Sequence, residues 1–159
     1  VWDEVDFMFV DMPPGTGDVP LTVFQSLPLD GIVIVTSPQD LVSMVVEKAV
    51  NMAKMMNVPI IGLVENMAWF TPAELPENKY YLFGREGAKR LAEEMNVPLL
   101  GQIPIVQSIC EGGDNGLPVA LNDDTLTGQA FAVLADNVVR QIELRNATMA
   151  PTRIVEVSK

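Results

Sequence analysis

The stretch Phe7-Met-Phe-Val-Asp-Met-Pro-Pro-Gly-Thr-Gly-Asp18 decides how the rest of the chain is read. Residues 5–10 form an apolar run of strand length that ends at Asp11. A strand ending in aspartate sets a carboxylate at the carboxyl edge of a sheet. In nucleotide hydrolases that is where Mg²⁺, or a water bound to it, is held. The Pro-Pro pair that follows is stiff. Gly15 and Gly17, on either side of Thr16, let backbone N–H groups approach a phosphate with no Cβ in the way. Taken alone, the same pattern also describes a turn or cap aspartate of an ordinary α/β domain.

Working outward, short apolar strands alternate with helical stretches. The patterning predicts a helix over 21–27 and a central parallel strand over 31–36, β-branched on both faces. Ser37 is the expected N-cap of the next helix, with Pro38 at its first position. That helix runs to about residue 56 and is apolar round most of its circumference. A strand over 58–65 precedes a long loop, 66–83, of the length that marks a functional segment or an insertion. A helix over 85–95, a strand over 97–103, a Gly-rich loop over 111–118 and a long helix over 125–145 follow. The main body is expected over 1–150, with a tail over 151–159 in which 153–157 form an edge strand or lie loose.

Met56-Asn-Val-Pro-Ile-Ile-Gly62 and Met95-Asn-Val-Pro-Leu-Leu-Gly101 echo each other. The echo is either a true repeat or two equal solutions to one helix-to-strand junction. Repeated βα units imply an α/β fold, a parallel sheet with helices on both faces. Ligands then bind at the carboxyl ends of the strands, in the loops after Val10, Glu65 and Ile103.

Composition removes several chemistries. Ten Lys and Arg against 21 Asp and Glu give a net charge of −11, which argues against nucleic acid or an anionic membrane as partner. There is no histidine and one cysteine, Cys110, so Ser–His–Asp and Cys–His catalysis, His-ligated zinc, disulfide frameworks and Cys-only metal cages within one chain are excluded. No apolar run approaches the roughly 20 residues of a membrane span. The acidic start is unlike a signal peptide, so a cytoplasmic address is expected. The start without Met, almost at once in a strand, suggests a piece of something longer.

The octet Asp11-Met-Pro-Pro-Gly-Thr-Gly-Asp18 resembles the Walker B and switch II segment of the Mrp/ApbC family, P-loop ATPases related to MinD and the nitrogenase iron protein and implicated in carrying iron–sulfur clusters. Four further segments match in order. Ile32-Val-Ile-Val-Thr-Ser-Pro-Gln-Asp40 resembles the next strand and its Thr-Thr-Pro-Gln-Asp turn, and Gly62-Leu-Val-Glu-Asn-Met67 the strand whose terminal Asn recognises adenine. Phe83-Gly-Arg-Glu-Gly-Ala-Lys-Arg-Leu-Ala92 resembles the Phe-Gly-x-Gly-Gly-Ala-x-x-Leu-Ala helix, and Gly101-Gln-Ile-Pro-Ile105 the late strand whose outgoing loop packs near the base.

The resemblance implies a homodimer that binds and hydrolyses ATP with Mg²⁺ and passes an iron–sulfur cluster to apo client proteins. Asp11 would organise the metal. The Gly15-Thr16-Gly17 loop would meet the phosphates, with Asp18 sensing the γ-phosphate or the partner subunit, unless Asp18 is simply the N-cap of the first helix. Asn66 would select adenine, whose N6 and N7 edge suits an amide's paired donor and acceptor, unless it only closes an Asx turn. Met67 stands where a guanine site would continue Asn-Lys-x-Asp. Pro104 and Ile105 would border the base.

Two departures qualify this. The Gly-x-x-x-x-Gly-Lys-[Ser/Thr] phosphate loop is absent: the lysines are Lys48, Lys54, Lys79, Lys89 and Lys159, and none follows a glycine. The simplest expectation is the carboxyl-terminal half of an ATPase domain, the alternative being a remnant that lost its upstream half and does something else; either has an exposed apolar edge that favours pairing between chains. The Cys-x-x-Cys that bridges a cluster in members of the family is also missing after Phe70. Glu74 and Glu77 read as a solvated loop, and Cys110 as a small buried apolar residue.

Smaller features complete the expectations. Val106 stands where the family often has Asp. Trp69, Tyr80 and Tyr81 are expected to pack on the body. Met44, Met52, Met55 and Met56 are expected in the core or a dimer face. Phe131, Val133, Leu134, Val138, Val139 and Ile142 form the core stripe of the last helix, which lacks the basic character of a membrane-targeting helix. Rival functions are a nucleotide switch without a cluster and a non-enzymatic dimerising scaffold.

Overall fold

Three parallel strands run in the order β1 (Ile32–Thr36), β2 (Ile60–Glu65), β3 (Leu99–Gln102), in a computed structural model that describes residues 4–72 and 74–152. Register is set by pairs such as Val33 with Gly62 and Leu63 with Leu99. The helices are α1 (Asp18–Ser26), α2 (Asp40–Met55), α3 (Gly87–Met95), α4 (Gln107–Asp114) and α5 (Leu126–Asn146), with a 3-10 turn at Val119–Leu121.

Apolar residues on both strand faces draw helices to both sides of the sheet, as expected. Ile34 and Leu63 pack with Val46 and Val50 of α2 and Leu91 of α3. On the opposite face Val64, Leu100 and Ile103 pack with Val138 of α5. A third cluster, Phe24, Ala53 and Val58, ties α1 to the end of α2.

The echo is explained by its backbone. Asn57 and Asn96 both adopt the left-handed conformation, at φ 55° and 53°, just past their helices. In both junctions the next N–H closes back on the helix: Val58 on the Ala53 carbonyl at 2.8 Å, Val97 on Ala92 at 2.9 Å. Asparagine tolerates that conformation better than most residues, and the closing bond satisfies a carbonyl the helix end leaves open. At the start of α5, Thr125 Oγ1 accepts the Gly128 N–H at 2.9 Å.

Several expectations need correction. Residues 5–10 are not a strand: they make no ladder bonds among the described residues, and Phe9 is 71% exposed. A strand exists only where a neighbour takes its N–H and C=O groups, and sequence cannot show the neighbour. For the same reason β1 is an edge strand rather than a central one among the described residues, with Val35 63% exposed. Helix α2 starts at Asp40 with Gln39, not Ser37, as N-cap. Pro38 is fully buried and its carbonyl backs onto Gly87, so the chain is still turning there.

Residues 111–114 belong to α4 rather than to a loop. That helix buries none of its residues, so Cys110 is exposed, 3.8 Å from Asp114 Oδ2, not a core residue. Met44, Met55 and Val133 are exposed rather than packed in this chain's core. The expected edge strand over 153–157 lies outside the described residues.

At the amino end of the sheet, Arg145 holds the last described residues down. Its Nη1 donates to Asp30 Oδ1 at 3.1 Å and to the Met149 carbonyl, and its Nη2 to the Ala150 carbonyl. Thr152 completes the seam with bonds to Leu29 through both N–H and Oγ1.

Glu86 also sits left-handed, at φ 57°, as the residue before α3, where the family pattern has glycine. Holding a Cβ there costs roughly 1–2 kcal/mol. Glu86→Gly is therefore expected to stabilise the chain by about 1 kcal/mol and raise the melting temperature by about 2–4 °C. Circular dichroism melts of the two proteins check this, and an unchanged or lower midpoint would count against it.

Candidate nucleotide site

The rim at the carboxyl ends of the strands is built by backbone bonds between chain-distant segments. The Asn66 N–H donates to the Thr36 carbonyl at 2.7 Å, joining the ends of β1 and β2. Ile103 N–H donates to the Glu65 carbonyl at 2.8 Å, and Ala68 N–H to the Ile103 carbonyl at 2.9 Å. Ile105 N–H then donates to the Trp69 carbonyl at 2.7 Å, so residues 65–70 and 103–105 run side by side beyond the sheet. Asn66, Pro104 and Ile105 thus share one rim. Pro104 is buried and Ile105 half-buried, while Asn66 is exposed.

The Asn66 side chain is already oriented: its Oδ1 accepts the Met67 N–H at 2.9 Å. Met67 itself has φ 57°, in the left-handed region. An amide oxygen has a second lone pair and the amide nitrogen two protons, so the group keeps an acceptor and donors for a ligand. The bond goes to the very next N–H rather than two residues on, so it is not an Asx turn, and it leaves the amide able to read a base.

Asp11 is exposed and lines a cavity of about 390 Å³ with Pro13 and Gly15; β1 and Val42, Val45 and Val46 of α2 form the other walls. A Cβ built on Gly17 would meet nothing within 4 Å, and Gly15, at φ 96°, is equally open. Asn66 is not among the residues lining this cavity. Asp18 is the first residue of α1, with Gly17 before it as N-cap, so its carboxylate sits in the first turn rather than capping the helix.

One carboxylate suits Mg²⁺, which is held by one or two carboxylates together with waters and substrate phosphates. No group of three or more His, Cys, Asp or Glu side chains among the described residues could hold a metal ion by itself. An iron–sulfur cluster needs thiolates, and this chain offers only Cys110 on α4. The residues present do not fit a cluster bound within one chain.

The long loop 66–83 is ordered by Phe70 and Tyr80, which exchange both backbone bonds at 2.8 Å. Lys79 Nζ lies 3.8 Å over the Trp69 ring, and Arg85 4.9 Å over Tyr81. Tyr80 and Tyr81 are exposed rather than packed on the body. Glu74 and Glu77 are exposed, in keeping with a solvated loop.

Sequence reasoning treated Glu65 only as the end of a strand. It is 0% exposed, accepts the Ala88 N–H at 2.9 Å through Oε1, and accepts from Gln102 Nε2 through Oε2. The available signal was an acid closing the otherwise apolar run Ile60-Ile-Gly-Leu-Val64. Gly87 was also missed as a contact: a Cβ there would lie 2.1 Å from the Pro38 carbonyl oxygen.

A family profile described as ParA, NUBPL iron-transfer P-loop NTPase, matches residues 1–139. An iron-sulfur cluster carrier protein of Synechocystis is 39% identical over 144 residues, covering 90% of this chain and 41% of that protein. The chain spans less than half the length of the curated relatives it matches. Among solved structures, a nucleotide-binding protein of Archaeoglobus fulgidus in complex with ADP superposes with a TM-score of 0.60 at 42% identity, covering 67% of this chain and 43% of that one. The cell division ATPase MinD of Pyrococcus furiosus does so at 0.53 and 23% identity, over 70% of this chain and 43% of that one, which speaks for the fold alone. No helix among the described residues is long and apolar enough to cross a membrane. With five motif segments in order, a doubly covered parallel sheet and a profile match over most of its length, the chain belongs to the ParA/NUBPL family of iron-transfer P-loop NTPases.

Proposed function

We propose that these residues form the carboxyl-terminal half of a cytoplasmic ATPase domain that couples Mg·ATP to iron–sulfur cluster transfer. The observation that carries this is the exposed, pre-oriented Asn66 amide on the rim it shares with Pro104 and Ile105. Asn66 reads the adenine edge, and the neighbouring 104–105 backbone borders the base. Asp11 holds Mg²⁺ or its water, the Gly15–Thr16–Gly17 backbone meets the phosphates, and Asp18 responds to the γ-phosphate. The Lys-bearing phosphate loop that such a site needs is not in this sequence and is supplied by residues outside it. The relatives' role as cluster carriers supports apo iron–sulfur proteins as clients, and a homodimer is the state that the family resemblance implies.

Calorimetry with Mg·ATP tests this on the protein at its natural length and on these 159 residues alone. Binding to the former only, with ATP preferred over GTP and the preference lost in Asn66→Ala, is the expected result. Binding to neither would sink the ATPase assignment, and tight binding to the short chain would mean the phosphate site lies elsewhere.

A second reading, a nucleotide switch that positions a partner without holding a cluster, is favoured by one observation. The segment that follows Asn66 is closed by the Phe70–Tyr80 bridge and contains no thiol. Iron and acid-labile sulfide in anaerobically prepared protein of natural length separate the two. Stoichiometric iron favours transfer, and none favours the switch.

A further inference from the structure

We infer that Glu65 is a positioning residue for nucleotide selection, fixing the rim on which Asn66 stands. The inference rests on the reading of Asn66 as the adenine-selecting group. Glu65 closes β2, is fully buried, and takes part in no ion pair among the described residues. Burying a carboxylate without a cation is costly, and an apolar side chain at the end of a core strand would serve stability better. Its two oxygens are instead divided between two elements. Oε1 takes the N–H of Ala88, in the first turn of α3, where the helix end favours a negative charge. Oε2 takes the amide of Gln102, the last residue of β3.

Ala88 is itself 1% exposed, so its N–H has no water to turn to if the carboxylate goes. The backbone carbonyl of Glu65 receives the Ile103 N–H, and the N–H of Asn66 reaches the Thr36 carbonyl. One buried side chain thus pins the start of α3 and the end of β3 to the strand end that carries Asn66. The rim at 103–105 emerges directly from the end of β3. Without the carboxylate, the start of α3 loses this tie to the end of β2 and the 102–105 segment is held to 65–69 by its backbone bonds alone, and an amide reads a base only when its partners are held in register.

The test is the ratio of ATP to GTP affinity, measured by competition against a fluorescent ATP analogue on the protein at its natural length. Glu65→Ala and the milder Gln102→Leu are each compared with Glu65→Gln and Asn66→Ala. Glu65→Gln keeps an oxygen for Ala88, and Gln102 can turn its amide to accept from the new nitrogen, so this variant is expected to preserve the ratio. Glu65→Ala should lower it by about tenfold or more, the scale of a lost hydrogen bond to a charged group. Gln102→Leu, which removes one of the two ties at a half-buried position, should lower it by a smaller factor and keeps the test open if Glu65→Ala fails to fold. Variants that fold and keep the wild-type ratio, while Asn66→Ala loses it, overturn the positioning role alone. A wild-type protein with no preference for ATP overturns the adenine reading and this inference with it.

Discussion

Gly62→Ala is expected to cost about 3 kcal/mol or more, a large share of the roughly 5–15 kcal/mol by which a domain is usually stable. A Cβ at Gly62 would lie 2.5 Å from the Pro98 carbonyl oxygen and 2.6 Å from Leu100 Cγ. Neither can retreat. The Pro98 carbonyl accepts the Leu63 N–H at 2.8 Å, and Leu100 is buried against α5. Making room means parting β2 from β3, which loses ladder bonds and core contacts together. Gly17→Ala is the control, since a Cβ there meets nothing within 4 Å, and it should change stability by less than about 0.5 kcal/mol. Thermal melts read both: a fall of about 10 °C for Gly62→Ala and almost none for Gly17→Ala. Matching midpoints for the two would show that the β2–β3 approach is not as tight as described.

The second large effect is on activity. Asp11→Asn should lower Mg²⁺-dependent ATP hydrolysis by the protein at its natural length by about a hundredfold or more, because a neutral amide holds Mg²⁺ or its water poorly. The fold should be untouched, since Asp11 is exposed and its side chain is in no hydrogen bond or ion pair among the described residues. Steady-state hydrolysis over a range of Mg²⁺ concentrations, with a melting curve for each protein, separates the two effects. Unchanged turnover would remove Asp11 from the site. Lost turnover with a collapsed melting curve would make it a structural residue.

The α/β order was legible because each buried strand is a short apolar run bounded by Gly, Pro or Asn, and because helix and strand periods differ. The paired Asn57 and Asn96 junctions were legible as local chemistry. What could not be read depends on distant partners. Whether residues 5–10 form a strand is decided by a neighbour the segment does not name. The Glu65 carboxylate looks like a strand end until Ala88 and Gln102, 23 and 37 residues away, are seen to donate to it. Cys110 was misplaced because a short helix does not announce which face packs: Ile109 lies against the core, whereas Cys110 is exposed. Asn66 was nameable from its motif. The Met67 backbone that aims it was not.

The twin junctions at Asn57 and Asn96 bear on the order in which the molecule assembles. Each closes a hydrogen bond over a few residues, at small loop entropy, so α2 with the entry to β2, and α3 with the entry to β3, can form as local units. Pairing Val33 with Gly62, or Leu63 with Leu99, requires a whole crossover to be in place first. Refolding should therefore be limited by registration of the parallel strands. Changes at the two asparagines should act mainly through how often each helix–strand unit is ready to dock.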